Sequence, residues 1–216
     1  MRKLVILSTL IALPAAAHHV ELPPLDFVPP APGSYVLHRI MPAPEGRVLG
    51  LDGRAERLSR YTRGQITLLG FIYTTCVDPL GCPHAYRVFD ALKESIAATP
   101  ALHGKVRFVT LSFDPARDTP QAMARYAGSR VHDAGGLRWY FLTTRSAREL
   151  APLVAGFGQD VELAVDRSSG KPQRVLSHVL KVFLIDAAGD VREIYSSDFL
   201  HPQTVLNDIR TLLLEE

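Results

Sequence analysis

Both cysteines of the chain fall in one short stretch, Thr75-Cys76-Val77-Asp78-Pro79-Leu80-Gly81-Cys82-Pro83-His84. It follows the apolar run from Ile66 to Tyr73, which reads as a buried strand, and it runs into a helix that opens on Pro83. Cys82, directly before that proline, is read as the helix N-cap, so its sulfur faces the positive end of the helix dipole. Such a position favours thiolate. Thiolates there carry out redox exchange or hold a soft metal. A purely structural bridge is the plain alternative, because a loop containing Pro79 and Gly81 turns back easily, and a disulfide needs Cα atoms only about 4.4–6.8 Å apart. The C-x5-C spacing by itself matches neither a standard redox motif nor a standard zinc motif.

His178 is the second element. It stands in Leu176-Ser177-His178-Val179, read as the entry of an apolar strand just after a projecting hairpin. Taken alone it is an ordinary loop histidine hydrogen-bonded to backbone. Added to Cys76 and Cys82, it completes a soft set of two thiolates and one imidazole, suited to Cu(I) and, with another ligand, to Cu(II). A closed zinc site would need a fourth protein ligand. His84, on the first helical turn, is read as a solvated helix residue, the alternatives being that fourth ligand or an influence on Cys82. In Ser112-Phe113-Asp114-Pro115-Ala116-Arg117-Asp118-Thr119-Pro120 a strand ends in a turn, and Asp118 or Thr119 caps the next helix. Asp114 and Arg117 remain as partners for an ion pair near the cysteine loop.

Around these residues the chain alternates strand and helix. Val48 to Leu51 and Glu56 to Leu58 flank Asp52-Gly53, a hairpin signal. Ile66 to Tyr73 is a strand, and the helix after it carries Ala85, Val88, Phe89, Leu92 and Ile96 on one stripe. Val106 to Phe113 is apolar enough to be a central strand. A helix through Met123 and Tyr126 follows, then a strand from Leu137 to Leu142 and a helix from Ser146 to Phe157. Val161 to Val165 and Gln173 to Leu176 form the projecting hairpin. Val179 to Ile185 and Val191 to Tyr195 form another hairpin, around Ala187-Ala188-Gly189-Asp190. The last helix places Val205, Ile209, Leu212 and Leu213 on one side. Mixed parallel and antiparallel strands with covering helices indicate an α/β sandwich.

The N-terminus sets the compartment. Met1-Arg2-Lys3, the apolar run Leu4 to Leu13 and Ala15-Ala16-Ala17 have the form of a cleavable signal peptide over residues 1–17. An uncleaved membrane anchor is the alternative, although the run is short of the roughly 20 residues a span needs. Cleavage removes Arg2 and Lys3, so Lys plus Arg falls from 24 to 22 and matches the 22 acidic residues. A formally neutral mature chain offers no basic surface for nucleic acid. Residues 18–46 hold seven of the 16 prolines and read as an extended arm ahead of a single domain over 47–216. Cleavage would also expose His18-His19, whose amine and imidazoles can chelate Cu(II), the alternative being a disordered terminus. Export places the thiols where a disulfide persists.

The strand Phe71-Ile72-Tyr73-Thr74-Thr75-Cys76 leading to Cys82-Pro83, the Asp114-Pro115-Ala116-Arg117-Asp118-Thr119-Pro120 string, and Ser177-His178 before Val182-Phe183-Leu184-Ile185-Asp186 together resemble the Sco/SenC family over about residues 47–215. The resemblance implies a thioredoxin-like, three-layer fold with a mixed central sheet, in which Cys76, Cys82 and His178 bind one copper ion. It further implies a periplasmic role in delivering copper to the copper centre of cytochrome c oxidase, or in reducing its thiols, with membrane contact only through that partner. One departure is the C-x5-C loop. The family has C-x3-C with a proline after the first cysteine, where this chain has Val77, and the longer loop is expected to be softer. The competing reading is a thiol-disulfide oxidoreductase that uses Cys76 and Cys82 as a redox pair with exchange partners. A peroxiredoxin-type peroxidase would want a proline in the strand before its reactive cysteine, and none is there.

Overall fold

The protein is described here by a computed structural model covering residue 22, residues 24–166 and residues 173–215, those at 163–166 and 173–178 by their backbone. The expected signal peptide at 1–17, His18-His19 and the tip of the projecting hairpin lie outside the described residues. In chain order the elements begin with β1 (Met41–Pro42) and the small ladder of β2 (Arg47–Leu49) with β3 (Ala55–Arg57). Gly53 turns that ladder at φ +76°, a conformation that favours glycine. There follow α1 (Ser59–Thr62), β4 (Ile66–Ile72), α2 (Cys82–Ala97), β5 (Val106–Ser112), α3 (Pro120–Ala127), β6 (Arg138–Leu142) and α4 (Ala147–Gly156). The chain closes with β7 (Val161–Asp166), β8 (Gln173–His178), β9 (Val182–Ile185), β10 (Asp190–Tyr195) and α5 (Pro202–Leu214).

The central sheet has the order β1-β10-β9-β4-β5-β6. β4, β5 and β6 run parallel, while β9 returns antiparallel against β4. Every residue of β4 and β5 is buried, which is why both read as continuous apolar runs instead of alternating ones. Successive residues of β4 serve opposite faces. A Cβ on Gly70 would meet the Phe89 ring of α2 at 3.4 Å, so the missing side chain lets that helix lie close. The Phe71 ring instead packs edge-on against Phe157, the C-cap of α4, with centroids 5.4 Å apart. Helices therefore cover both faces of a mixed sheet, and the expected three layers are present.

Side-chain caps place the helix starts. Thr119, not Asp118, caps α3, its Oγ1 accepting from the Ala122 amide at 3.3 Å. Ser146 caps α4 by accepting from the Glu149 amide. α2 begins one residue earlier than read from the sequence. Gly81 is its N-cap, since the Gly81 carbonyl accepts from the amides of His84 and Ala85 at 3.0 and 3.2 Å, and Cys82 is the first helical residue. A second correction concerns His178. β7 and β8 pair only with each other through six residue pairs, and Val161 faces His178 at the root. The histidine therefore closes the projecting hairpin, and the next strand begins only at Val182, because the three residues between must carry the chain back into the central sheet.

The proline-rich arm lies along α5. Asn207 Nδ2 donates to the Pro30 carbonyl at 2.8 Å, and the Gly33 amide donates to Thr211 Oγ1 at 3.0 Å. The hydroxyls of Tyr35 and Tyr195 both donate to the carboxylate of buried Asp208. Burial raises the pKa of Asp208, and the two hydroxyls pull it back down in part. Arg192 Nε holds the Leu37 carbonyl at 2.8 Å, just ahead of the point where β1 joins the sheet edge. Asp208→Ala should leave both hydroxyls without their acceptor and cost about 1–3 kcal/mol. A urea midpoint equal to that of the unaltered protein would refute this role.

Candidate metal centre

The cysteine loop is built from two consecutive turns between β4 and α2. In the first, the Cys76 amide donates to the Tyr73 carbonyl at 3.1 Å. In the second, the Gly81 amide donates to the Asp78 carbonyl at 3.0 Å, while Asp78 Oδ1 accepts from the Leu80 amide at 3.0 Å. Pro79 stands at the second position of that turn, where its fixed φ is already suitable. Arg87 Nη2, one turn into α2, holds the Pro79 carbonyl at 3.2 Å. Only Val77, 86% exposed, joins the turns without such a tie. The additional residues of the longer loop are folded into this Asp-Pro turn.

Folding the loop this way brings the two thiols together, unbridged, with Cys76 half-buried and Cys82 fully buried. The Cys82 thiol donates to the Cys76 sulfur, and this is the largest influence on both groups. Cys76 also accepts from the amides of Cys82 and Asp78 and from the Tyr73 phenol. These donors outweigh its partial burial and bring its pKa down to about 5. Cys82 moves the opposite way, because ionising it would break the shared hydrogen bond and place a second charge in a buried site. At neutral pH the pair is one thiolate and one thiol. The Tyr73 phenol is pushed up by burial and then by its bond to Cys76, so it stays a donor.

A residue whose role the sequence did not disclose holds the loop's origin. Asp118 is 1% exposed, and its carboxylate accepts from the Thr74 amide at 3.1 Å, from Thr74 Oγ1 at 2.5 Å and from Ser112 Oγ at 2.6 Å. It fastens the end of β5 to the chain two residues before Cys76. The available signal was positional: with Thr119 in the capping place before Pro120, an acid one residue earlier is free for other work. Asp114 and Arg117 do form the expected ion pair, at 3.2 Å, but Arg117 is largely exposed and the pair contributes little.

His84 is not solvated, contrary to the reading from sequence. It is 6% exposed, and its ring interacts with the backbone at Leu200 and Ser197. Burial first, then the charge of Arg87, lowers its pKa. Its ring lines a cavity of about 490 Å³ together with Asp26, Asp198, Phe199 and His201, where the arm and the start of α5 cover the first turn of α2. The structure places His178 by its backbone, as the last residue of β8 opposite Val161. Among the described residues no three His, Cys, Asp or Glu side chains are grouped to hold a metal ion. Cys76 and Cys82 do meet, and two sulfurs sharing one proton form a donor pair for a soft cation, which on binding would displace that proton.

A parallel β-α-β core with an antiparallel return strand, and a dithiol where the central strand passes into its helix, defines a thioredoxin-like protein. The SCO1/SenC family profile matches residues 49–214, and the chain belongs to that family. Among solved structures, Arabidopsis thaliana ScoI with copper bound superposes with a TM-score of 0.66 at 19% identity, over 80% of this chain and 98% of that one. Bradyrhizobium japonicum ScoI with copper bound gives 0.59 at 21% identity, over 79% and 98%. BsSco, described as having a disulfide switch and as a member of the Sco family of cytochrome c oxidase assembly proteins, gives 0.59 at 21%, over 81% and 95%. No curated protein matches the sequence.

In the reduced protein, the alkylation rate of Cys76 should rise with pH through about 5 and then level off, while Cys82 stays unreactive at neutral pH. Cys82→Ala removes the largest donor and should move that inflection upward. Because folding depresses this pKa, the associated stability is fully present above the ordinary thiol range and is lost as pH falls towards 5. A Cys76 profile with its inflection near 9 would sink the shared-proton arrangement. Asp118→Ala should cost about 2–3 kcal/mol through its orphaned donors, read as a lowered denaturant midpoint.

Proposed function

We propose that the mature protein is a periplasmic copper carrier that supplies, or matures, the copper centre of cytochrome c oxidase. The proposal takes residues 1–17 as a cleaved signal peptide, 18–46 as an arm and 47–216 as the working domain. Copper is the cargo, and Cys76, Cys82 and His178 are its ligands. The single observation carrying this reading is the unbridged pair of sulfurs sharing one proton, one half-exposed and one buried. The Cys76 thiolate meets incoming Cu(I) first. The Cys82 thiol then gives up its proton as its sulfur joins, and the imidazole of His178 completes a three-coordinate soft site. Copper-bound relatives and a relative from cytochrome c oxidase assembly support this role. No helix among the described residues is long and apolar enough to cross a membrane, and membrane contact in this proposal comes through the acceptor.

The depressed, half-exposed Cys76 also favours a second reading, thiol-disulfide exchange. The Cys76 thiolate would attack one sulfur of a partner disulfide, forming a mixed disulfide and releasing the other partner sulfur as thiolate. Cys82, after losing its proton, would then attack Cys76, expelling the second partner thiolate and leaving a Cys76–Cys82 disulfide. Two electrons pass to the partner. Both activities use the same sulfurs, so the oxidised protein should bind Cu(I) far more weakly than the reduced protein.

Competition titration of the reduced protein with Cu(I) should give tight one-to-one binding. Cys76→Ser or Cys82→Ser should abolish it, and His178→Ala should weaken it. Binding indifferent to His178 would instead identify a dithiol oxidoreductase on a copper-protein fold. Removing His18 and His19 should leave Cu(I) affinity intact, and its loss would put the main site in the wrong place.

A further inference from the structure

Among the described residues, the projecting hairpin that ends in His178 has no strand partner in the central sheet. Its described polar ties lie at its root, where β7 leaves α4 and β8 returns towards β9. Gly158, at φ +59°, ends the helix and releases the chain. The next residue, Gln159, is 2% exposed, and its amide donates back to the Val154 carbonyl of α4 at 2.9 Å. Its side chain crosses the root. Nε2 donates to the Val179 carbonyl at 2.9 Å, and that carbonyl belongs to the residue directly after His178. Lys181 Nζ adds a second tie, donating to the Gly158 carbonyl. Beneath the root, Phe157 is fixed by ring contacts with Phe71 and Phe183 at 5.4 and 4.8 Å, so α4 offers a rigid base.

Gln159 spends burial on this arrangement. Its Oε1 is closed to solvent and accepts no hydrogen bond from the described residues, a condition that ordinarily costs about 1–3 kcal/mol. An apolar side chain of the same length would avoid that cost and would serve the core as well. What it could not supply is the N–H directed at Val179. Val179 itself is 63% exposed and offers little packing to hold the strand end in place.

We propose that Gln159 is a positioning residue for His178. By clamping the Val179 carbonyl to the end of α4 it sets where the hairpin's last residue stands relative to Cys76 and Cys82. The claim about copper rests on the reading under Proposed function; the clamp itself does not. Holding a ligand by a neighbour outside the coordination sphere typically contributes 10–100-fold in metal affinity, of the order of a direct ligand's supporting bonds.

The test uses the full mature protein with Gln159→Met, which keeps length and apolar bulk and removes both polar atoms. Gln159→Glu is the second variant, keeping an acceptor and losing the N–H. In the reduced, metal-free protein both should speed amide hydrogen exchange at the β7–β8 root about fivefold, the equivalent of one lost hydrogen bond. The Gln159→Met midpoint for global unfolding should not fall. Both should weaken Cu(I) binding about tenfold or more, and neither should weaken it further once His178→Ala is present. Unchanged exchange at the root overturns the clamp. Faster exchange with unchanged copper affinity overturns its role towards His178, as does an equal loss of affinity in the His178→Ala background. If His178→Ala itself leaves copper binding untouched, the copper reading fails, while the exchange result still decides the clamp.

Discussion

The buried carboxylate of Asp118 is the tie on which the site's geometry depends. A charge taken from water must be met by donors, and here three converge on it from two parts of the chain. Satisfying that carboxylate forces the exit of β4 and the end of β5 into fixed relation, two residues ahead of Cys76. The parallel pairing of β4 with β5 supplies the platform, and the hydrogen bonds to Asp118 set how the chain leaves it. From that fixed exit, one turn delivers Cys76 and a second delivers Gly81 and the first turn of α2.

The thiol chemistry follows from this placement. A hydrogen bond between two sulfurs is directional only when one holds the proton, and the asymmetry of burial decides which. Cys82 lies beneath the loop at the start of α2, so it retains the proton. Cys76, nearer water and supplied with backbone and phenol donors, carries the charge. The resulting site is reactive at one sulfur and guarded at the other. Val77 and Leu80 of the same loop are exposed.

The arm and the projecting hairpin are held by different means. Residues from Pro30 to Leu37 are fastened by polar side chains of α5 and β10, with Asp208 receiving hydroxyls from both arm and sheet. The backbone of the hairpin pairs β7 with β8 alone among the described strands. Among the described residues its polar ties lie at its root, through Gln159 and Lys181, next to the strand end that carries His178.

By itself the sequence determined the alternation of elements, the covered central strands, the closeness of Cys76 and Cys82 along the chain and the family. Each of these rests on local pattern: apolar runs, Thr119 and Ser146 before helices, Asp52-Gly53 at a turn, and an intact motif after β5. What it left undecided were partners far apart in sequence. Asp118 read as a cap because nothing local shows that Thr74, 44 residues earlier, will stand beside it. His84 read as solvated because helical position alone does not reveal that the arm and the start of α5 cover that turn. His178 read as opening a strand because pairing with Val161 is a property of the folded ladder. Burial and hydrogen-bond partnership are set by which surfaces meet, and only the tertiary structure brings them together.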